Sequence, residues 1–167
     1  MDSKTSTKMK SIVTPEEVPA LVFGTSTTLR PEDIPLHTIL AAERKYLRPA
    51  LGEALCDALT SEEPASHLVA FADDYLKLPT ALYVASILLP TIAAQVGAAG
   101  VVRISGESFR SVDERTILRL VRRMRSDADA LLDSATDHLA THPDLFPEYK
   151  PSNNIRERIS FKGGVVL

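Results

Sequence analysis

A chain of 167 residues that sets 19 Lys and Arg against 22 Asp and Glu has a formal charge of −3, so it lacks the overall basic field with which proteins hold nucleic acid. Its single cysteine, Cys56, excludes an internal disulfide, and the polar start MDSKTSTKMK is followed by no secretion-type apolar run, so synthesis in a reducing cytoplasm is expected. The length suits one domain with one core, and 44% hydrophobic residues with 5% aromatics and no Trp favour helices with small-residue contacts over a β-sandwich.

Residues 1–32 are rich in Ser, Thr, Lys and Pro, with short apolar patches at Ile12-Val13 and Ala20-Leu21-Val22-Phe23 and no helical period. They read as an extended N-terminal arm, either loose or docked on a neighbouring chain, and docking is the expectation taken forward. Asp33 is a candidate N-cap with Pro35 in the first turn, and Leu36, Ile39, Leu40 and Leu47 mark one helical face. Arg48-Pro49 is expected to break that helix, and a second short one follows from Ala50 to about Leu59, with Leu51, Leu55 and Leu59 four apart. Glu43 falls on the apolar face of the first helix. It is either an edge carboxylate that reaches water or half of a buried pair with an Arg, and neither role is catalytic.

Thr60 to Glu63 with Pro64 is a turn, and Ser66 to about Leu76 forms another short helix with Leu68, Val69, Phe71 and Ala72 inward. Next come about 25 residues without a charge, Leu78 to Val102. That is long enough for a membrane span, which needs roughly 20 apolar residues. The interruptions at Pro79, Thr80, Ser86, Pro90, Thr91, Gln95, Gly97 and Gly100, and the many alanines between them, favour a buried central helix instead. Pro90 is expected to kink or divide it, and Gly97 to Gly100 to end it.

Ser111-Val112-Asp113-Glu114 fits a capping box, and Ile117, Leu120, Val121, Met124, Ala128, Leu131, Leu132, Ala135 and Leu139 then recur at three and four residues. This predicts a long amphipathic helix to about His142, where His142-Pro143 stops it. Its polar face is divided: Arg115, Arg119, Arg122, Arg123 and Arg125 lie in the first half, and Asp127, Asp129, Asp133 and Asp137 in the second. Such a face is either solvated, with pairs such as Arg123 and Asp127 worth a few tenths of a kcal/mol, or an interface in which the basic half of one subunit meets the acidic half of the next. The interface reading names Arg115, Arg119, Arg122, Arg123, Asp129 and Asp133. The tail from Ile155 to Phe161 alternates in part and reads as a short strand that pairs with the arm or with another subunit, which adds Ile159 and Phe161 to the interface. The chain therefore divides into an arm over 1–32, a helical body over 33–142 and a C-terminal extension over 143–167. The expected fold is mainly α: a compact bundle of four to five helices, one of them long, amphipathic and C-terminal, with an extended N-terminal arm and a short C-terminal β segment.

Side-chain chemistry for catalysis is not apparent in the sequence. His37, His67, His138 and His142 lack a matching Ser or Cys motif, and His138 and His142, though four apart, lack the His-Glu-x-x-His form. Gly97-Ala98-Ala99-Gly100 lacks the Lys-Ser/Thr of a phosphate loop, and Cys56 reads as a small core residue. No enzyme, cofactor or metal is expected.

The segment Ile39-Leu40-Ala41-Ala42-Glu43-Arg44-Lys45-Tyr46-Leu47-Arg48-Pro49-Ala50-Leu51-Gly52 resembles the opening of a family of small proteins encoded among the head and tail genes of tailed phages and prophages, many of them in Bacteroidetes. Ala99-Gly100-Val101-Val102-Arg103, Ser105 to Arg110, the long helix and Phe146-Pro147-Glu148-Tyr149-Lys150-Pro151-Ser152 follow in that family's order, although its members often carry Trp where Tyr149 stands. The resemblance runs from about Ile34 to Ser152 and leaves the tail uncovered. It implies a structural virion protein: a head–tail connector or adaptor subunit in a ring, commonly of twelve copies, below the portal and around the DNA channel.

The implied partners are further copies of the chain, the portal and the tail or neck proteins, with passive contact to channel DNA and no membrane. The implied location is the virion neck. A charge of −3 suits a wall past which DNA slides, since neutralising many phosphates makes binding tight. The alternative is a small helical DNA-binding or packaging-associated regulator using Arg115, Arg119, Arg122 and Arg123; a tail terminator, a stopper and a membrane protein are the remaining readings.

Overall fold

A computed structural model describes residues 10–24, 29–94 and 114–156 of the chain. Those residues form five helices. Helix α1 is Glu17–Phe23, α2 spans 36–51, α3 is Glu53–Leu59, α4 spans 66–94 and α5 is Glu114–Thr141. Single 3₁₀ turns occur at Pro31–Asp33 and Pro151–Asn153. The chain is mainly α and contains no strand among the described residues, and the long amphipathic C-terminal helix lies where the period placed it.

Two of these helices carry a π-helical turn ahead of a proline. In α2 the stretch Leu36–Ala42 passes through Glu43–Leu47 into Arg48–Leu51, and the Arg48 N–H donates five residues back to the Glu43 carbonyl. In α4 Ser66–Phe71 passes through Ala72–Leu76 into Lys77–Ala94, with the Lys77 N–H donating to the Ala72 carbonyl. A helical proline has no N–H and its ring presses on the carbonyl four residues back; a widened turn relieves that pressure at Pro49 and Pro79. The break expected at Arg48-Pro49 therefore does not occur. The helix expected to end near Leu76 continues into the uncharged run, and Pro90 does not divide it, because α4 extends to Ala94.

Gly52 ends α2. Its φ of 84° and ψ of 160° lie in a region open essentially to glycine, and that corner turns the chain into α3. The tail crosses above it: a Cβ at Gly52 would stand 3.8 Å from Asn153 Cβ, an ordinary contact. Backbone strain alone therefore sets the effect of Gly52→Ala, expected to be a loss of about 1.5 kcal/mol, readable as a shift in denaturation midpoint.

Helices α4 and α5 are antiparallel and form the main contact of the bundle, with α1 and α2 on other sides of α4. Tyr75 lies against His138, Tyr83 against Asp129 and Ser86 against Arg125, which fixes the register of the pair. Leu76, Thr80, Ala81, Tyr83, Val84, Ala85 and Leu88 of α4 and Val121, Met124, Ala128, Leu132, Ala135 and Leu139 of α5 are buried in the bundle. Two buried polar side chains of the uncharged run bond the backbone of their own helix: Thr80 Oγ1 donates to the Leu76 carbonyl (2.6 Å) and Ser86 Oγ to the Tyr83 carbonyl (2.8 Å). By length and composition the stretch Ser66–Ile92 could cross a membrane, and half of its most apolar window is buried inside the fold. Up to Ala94, the uncharged run is the central helix of the bundle.

Where residues 10–24 were expected to extend over a neighbouring chain, they lie on their own. Thr14-Pro15-Glu16-Glu17 starts α1: the Thr14 carbonyl accepts from Glu17 and Val18, and Glu17 Oε2 accepts from the Thr14 N–H (2.9 Å). Ile12, Val13 and Val18 enter the core, and the Ile12 N–H donates to Glu43 Oε1 at 2.6 Å. Asp33 does not cap α2; it accepts from the Arg30 N–H in the preceding 3₁₀ turn, and Pro35 takes the N-cap position. Leu36, expected inward, is exposed. The expected strand falls mainly outside the described residues, and its first two positions, Ile155 and Arg156, are helical. The capping box at Ser111 to Asp113 and the glycines at 97 and 100 also lie outside the described residues.

Candidate functional site

Helix α5 is amphipathic along its whole length, but its two halves are covered differently. From Val121 to Leu139 its inner face is buried by α4 and α2, whereas toward Glu114 the covering thins. Leu118 (44% exposed), Leu120 (40%) and, on the neighbouring end of α4, Ile92 (39%) stay in solvent there. Arg115, Arg119, Arg122 and Arg123 are exposed around them. Arg123 pairs with Asp127 one turn on (Nε to Oδ2 3.7 Å), and the Arg125 Nε–H donates to Ser86 Oγ (3.3 Å). At this end of α5 the outer face carries the arginines, and Leu118 and Leu120 lie exposed on its two flanks.

The second half of the divided face does something else. Asp129 accepts from the Tyr83 hydroxyl at 2.6 Å and meets Arg156 Nη2 at 3.0 Å, and the same guanidinium reaches Asp133 at 3.2 Å. Phe146, Tyr149 and Asn154 are buried along the path that brings Arg156 there, and the Arg156 N–H donates to Asn154 Oδ1 (3.1 Å). Two of the acidic residues assigned to a neighbour's arginines thus hold the tail of their own chain. Burial and the bond to Asp129 both push the Tyr83 hydroxyl well above the usual phenol range. The Tyr83 ring is itself stacked on Tyr46, with centroids 4.1 Å apart and ring planes nearly parallel. Ile159 and Phe161 lie outside the described residues.

Glu43 is buried, 8% exposed, and its partner is the backbone N–H of Ile12 rather than an ion-paired arginine. Burial pushes its carboxyl up to about 6, opposed by the Ile12 hydrogen bond and the charge of Arg48. Arg48 itself pairs with Glu53 and with Asp57 (3.1 Å). Cys56 is buried in the core, and its thiol is pushed up to about 12, mainly by that burial, which is opposite to what a nucleophile requires. His67, His138 and His142 join an aromatic group with Phe71, Tyr75 and Phe146; His138 stacks on Tyr75 with centroids 4.5 Å apart. His142 Nδ1 lies 2.9 Å from the His138 carbonyl, which occupies one of its ring nitrogens. Among the described residues no three His, Cys, Asp or Glu side chains are grouped to hold a metal ion.

Sequence reasoning missed Arg156 and Tyr83, because the contact joining them to Asp129 links positions far apart in the chain and follows no spacing rule. The helix-start pattern at Thr14 to Glu17 was a readable signal of α1.

No curated protein and no solved structure matches the chain. One family model does, over residues 40–159, which takes in most of the bundle from α2 through α5 and the tail that carries Arg156. The chain belongs to the family of unknown function DUF6712.

Proposed function

We propose that the chain is a structural subunit of a tailed-phage virion, a head–tail connector or adaptor that assembles into a ring below the portal and around the DNA channel. The observation that carries the reading is the amino-terminal half of α5, which leaves Leu118 and Leu120 exposed among arginines, whereas farther along the helix the inner face, from Val121 to Leu139, is buried. Exposed apolar side chains mixed with Arg are the composition of a protein interface. The ordered resemblance from Ile34 to Ser152 supplies the kind of assembly, and the buried, raised Cys56 thiol and the ring-packed histidines fit a role without catalysis.

In this reading the partners are further copies of the chain, in a ring that commonly has twelve copies in proteins of this kind, the portal above and the tail or neck proteins below. DNA passes without being held, no membrane is involved, and the chain reaches the virion neck after synthesis in the host cytoplasm. Imaging particles of the encoding phage with the chain labelled is expected to place the label at the head–tail junction; particles of normal composition without the chain would contradict the reading.

One observation favours a second reading, a small DNA-binding or packaging-associated regulator: Arg119 and Arg122 lie exposed about one turn apart on α5. Duplex DNA binding that weakens steeply with salt and is lost in Arg119→Glu would support it. The apolar side chains between the arginines argue for protein instead, because a phosphate-binding face gains nothing from exposed leucine.

A further inference from the structure

The α4–α5 pair is electrically polarised along its length. At one end stand Arg119, Arg122 and Arg123 with Leu118, Leu120 and Ile92. At the other, where α4 begins and α5 ends, Glu62, Glu63, Asp74, Asp137 and Asp144 are exposed around Val69 (42% exposed) and Leu145 (53%). Arg123 pairs with Asp127, and Lys77 with Asp73 and Glu17. Arg119 and Asp137 lie five helical turns apart on the outward face of α5, about 27 Å along its axis, too far to meet within one chain.

We propose that the partner of the arginine-bearing end is the carboxylate end of a second copy of this chain, joined head to tail. Both ends combine exposed apolar side chains with charge, and the charges are opposite, so each end supplies what the other lacks. A contact between unlike ends leaves each copy with one free end of each kind, and it closes a ring when the rotation at each step allows. This replaces Asp129 and Asp133, which hold Arg156, by Glu62, Glu63, Asp74, Asp137 and Asp144 as the acidic side of the contact. The inference rests on the ring reading for its biological setting, yet it is tested on the chain alone.

Three proteins are compared by sedimentation equilibrium over a range of concentration and salt: the wild type, Arg119→Glu with Arg122→Glu, and Glu62→Lys with Glu63→Lys. The wild type is expected to self-associate, and each charge-reversed protein alone to do so about tenfold more weakly. An equimolar mixture of the two, in which reversed ends face each other, is expected to recover part of the association. All substituted positions are exposed, and circular dichroism checks that both variants keep the helical fold. A wild type that stays monomeric at every concentration, or association that neither variant alters, overturns the head-to-tail contact. So does duplex DNA binding by the wild type that disappears in the arginine variant, since the arginine end would then serve nucleic acid. The self-association outcomes leave open whether the chain sits in a virion, which is read from labelled particles, whereas the DNA outcome would favour the regulator reading as well.

Discussion

Tyr83→Ala is expected to lower the stability of the fold by about 4 kcal/mol, the scale on which large buried aromatic side chains are lost from cores. Tyr83 is fully buried at the centre of α4, its ring lies flat on Tyr46 of α2, and its hydroxyl donates to Asp129 of α5. Truncation therefore opens a cavity where three helices meet and removes a partner from the carboxylate that holds Arg156. Tyr83→Phe separates the two contributions: it keeps the ring and removes only the hydrogen bond, for an expected loss of about 1 kcal/mol. Denaturant titration of the two variants reads both numbers. A loss below about 1 kcal/mol for Tyr83→Ala would mean that this junction is not part of the packed core.

The second large effect is a pH dependence located at Glu43. Its folded carboxyl titrates at about 6 against an ordinary 4.5, so the folded state holds the proton more tightly than the unfolded chain does. The associated stabilisation is present in full below about 4.5 and is lost as pH rises through 6. A shift of that size corresponds to about 2 kcal/mol. Glu43→Gln keeps an oxygen to accept from the Ile12 N–H and removes the charge. The variant is expected to gain on the wild type as pH rises from 4 to 7, ending more stable by an amount of that order. Denaturation midpoints of the pair across this range check it; parallel pH profiles would mean that the folded carboxyl is not perturbed. Because the Glu43 oxygen anchors Ile12, protection of the Ile12 amide from hydrogen exchange should persist in Glu43→Gln and be lost in Glu43→Ala.

The sequence was legible where a period repeats often and illegible where one contact decides. Nine apolar positions recurring at three and four residues defined α5, and its end at His142-Pro143 falls next to the observed last residue, Thr141. The uncharged run was recognisable as a buried helix, but the helix from Ser66 was expected to end near Leu76, shortly before Pro79, so the two were not read as one. A π-helical turn joins them, and neither composition nor spacing announces one. Pro49 misled for the same reason, while Gly52, with its positive φ, is the residue that ends α2.

Within the expected arm, residues 10–24 differ from the expectation because their apolar residues are few and lie close to the helix start at Thr14; Val13 and Val18 are nevertheless fully buried. Of the interface residues read from the divided face of α5, the arginines are exposed as expected. Asp129, half-buried, and Asp133, exposed, are instead paired with Arg156 of a tail whose path no local pattern encodes. Glu43 illustrates the same limit, since its position on the apolar face was readable, whereas a backbone N–H as partner leaves no mark in a sequence.

The central claim, that this helical chain is a ring-forming connector subunit, is tested most directly by the native mass of the assembly it forms with its portal protein. The account predicts a closed complex containing many copies of the chain on each portal ring, weakened when Arg119 and Arg122 are reversed in sign. A chain that remains monomeric beside an intact portal ring would contradict it.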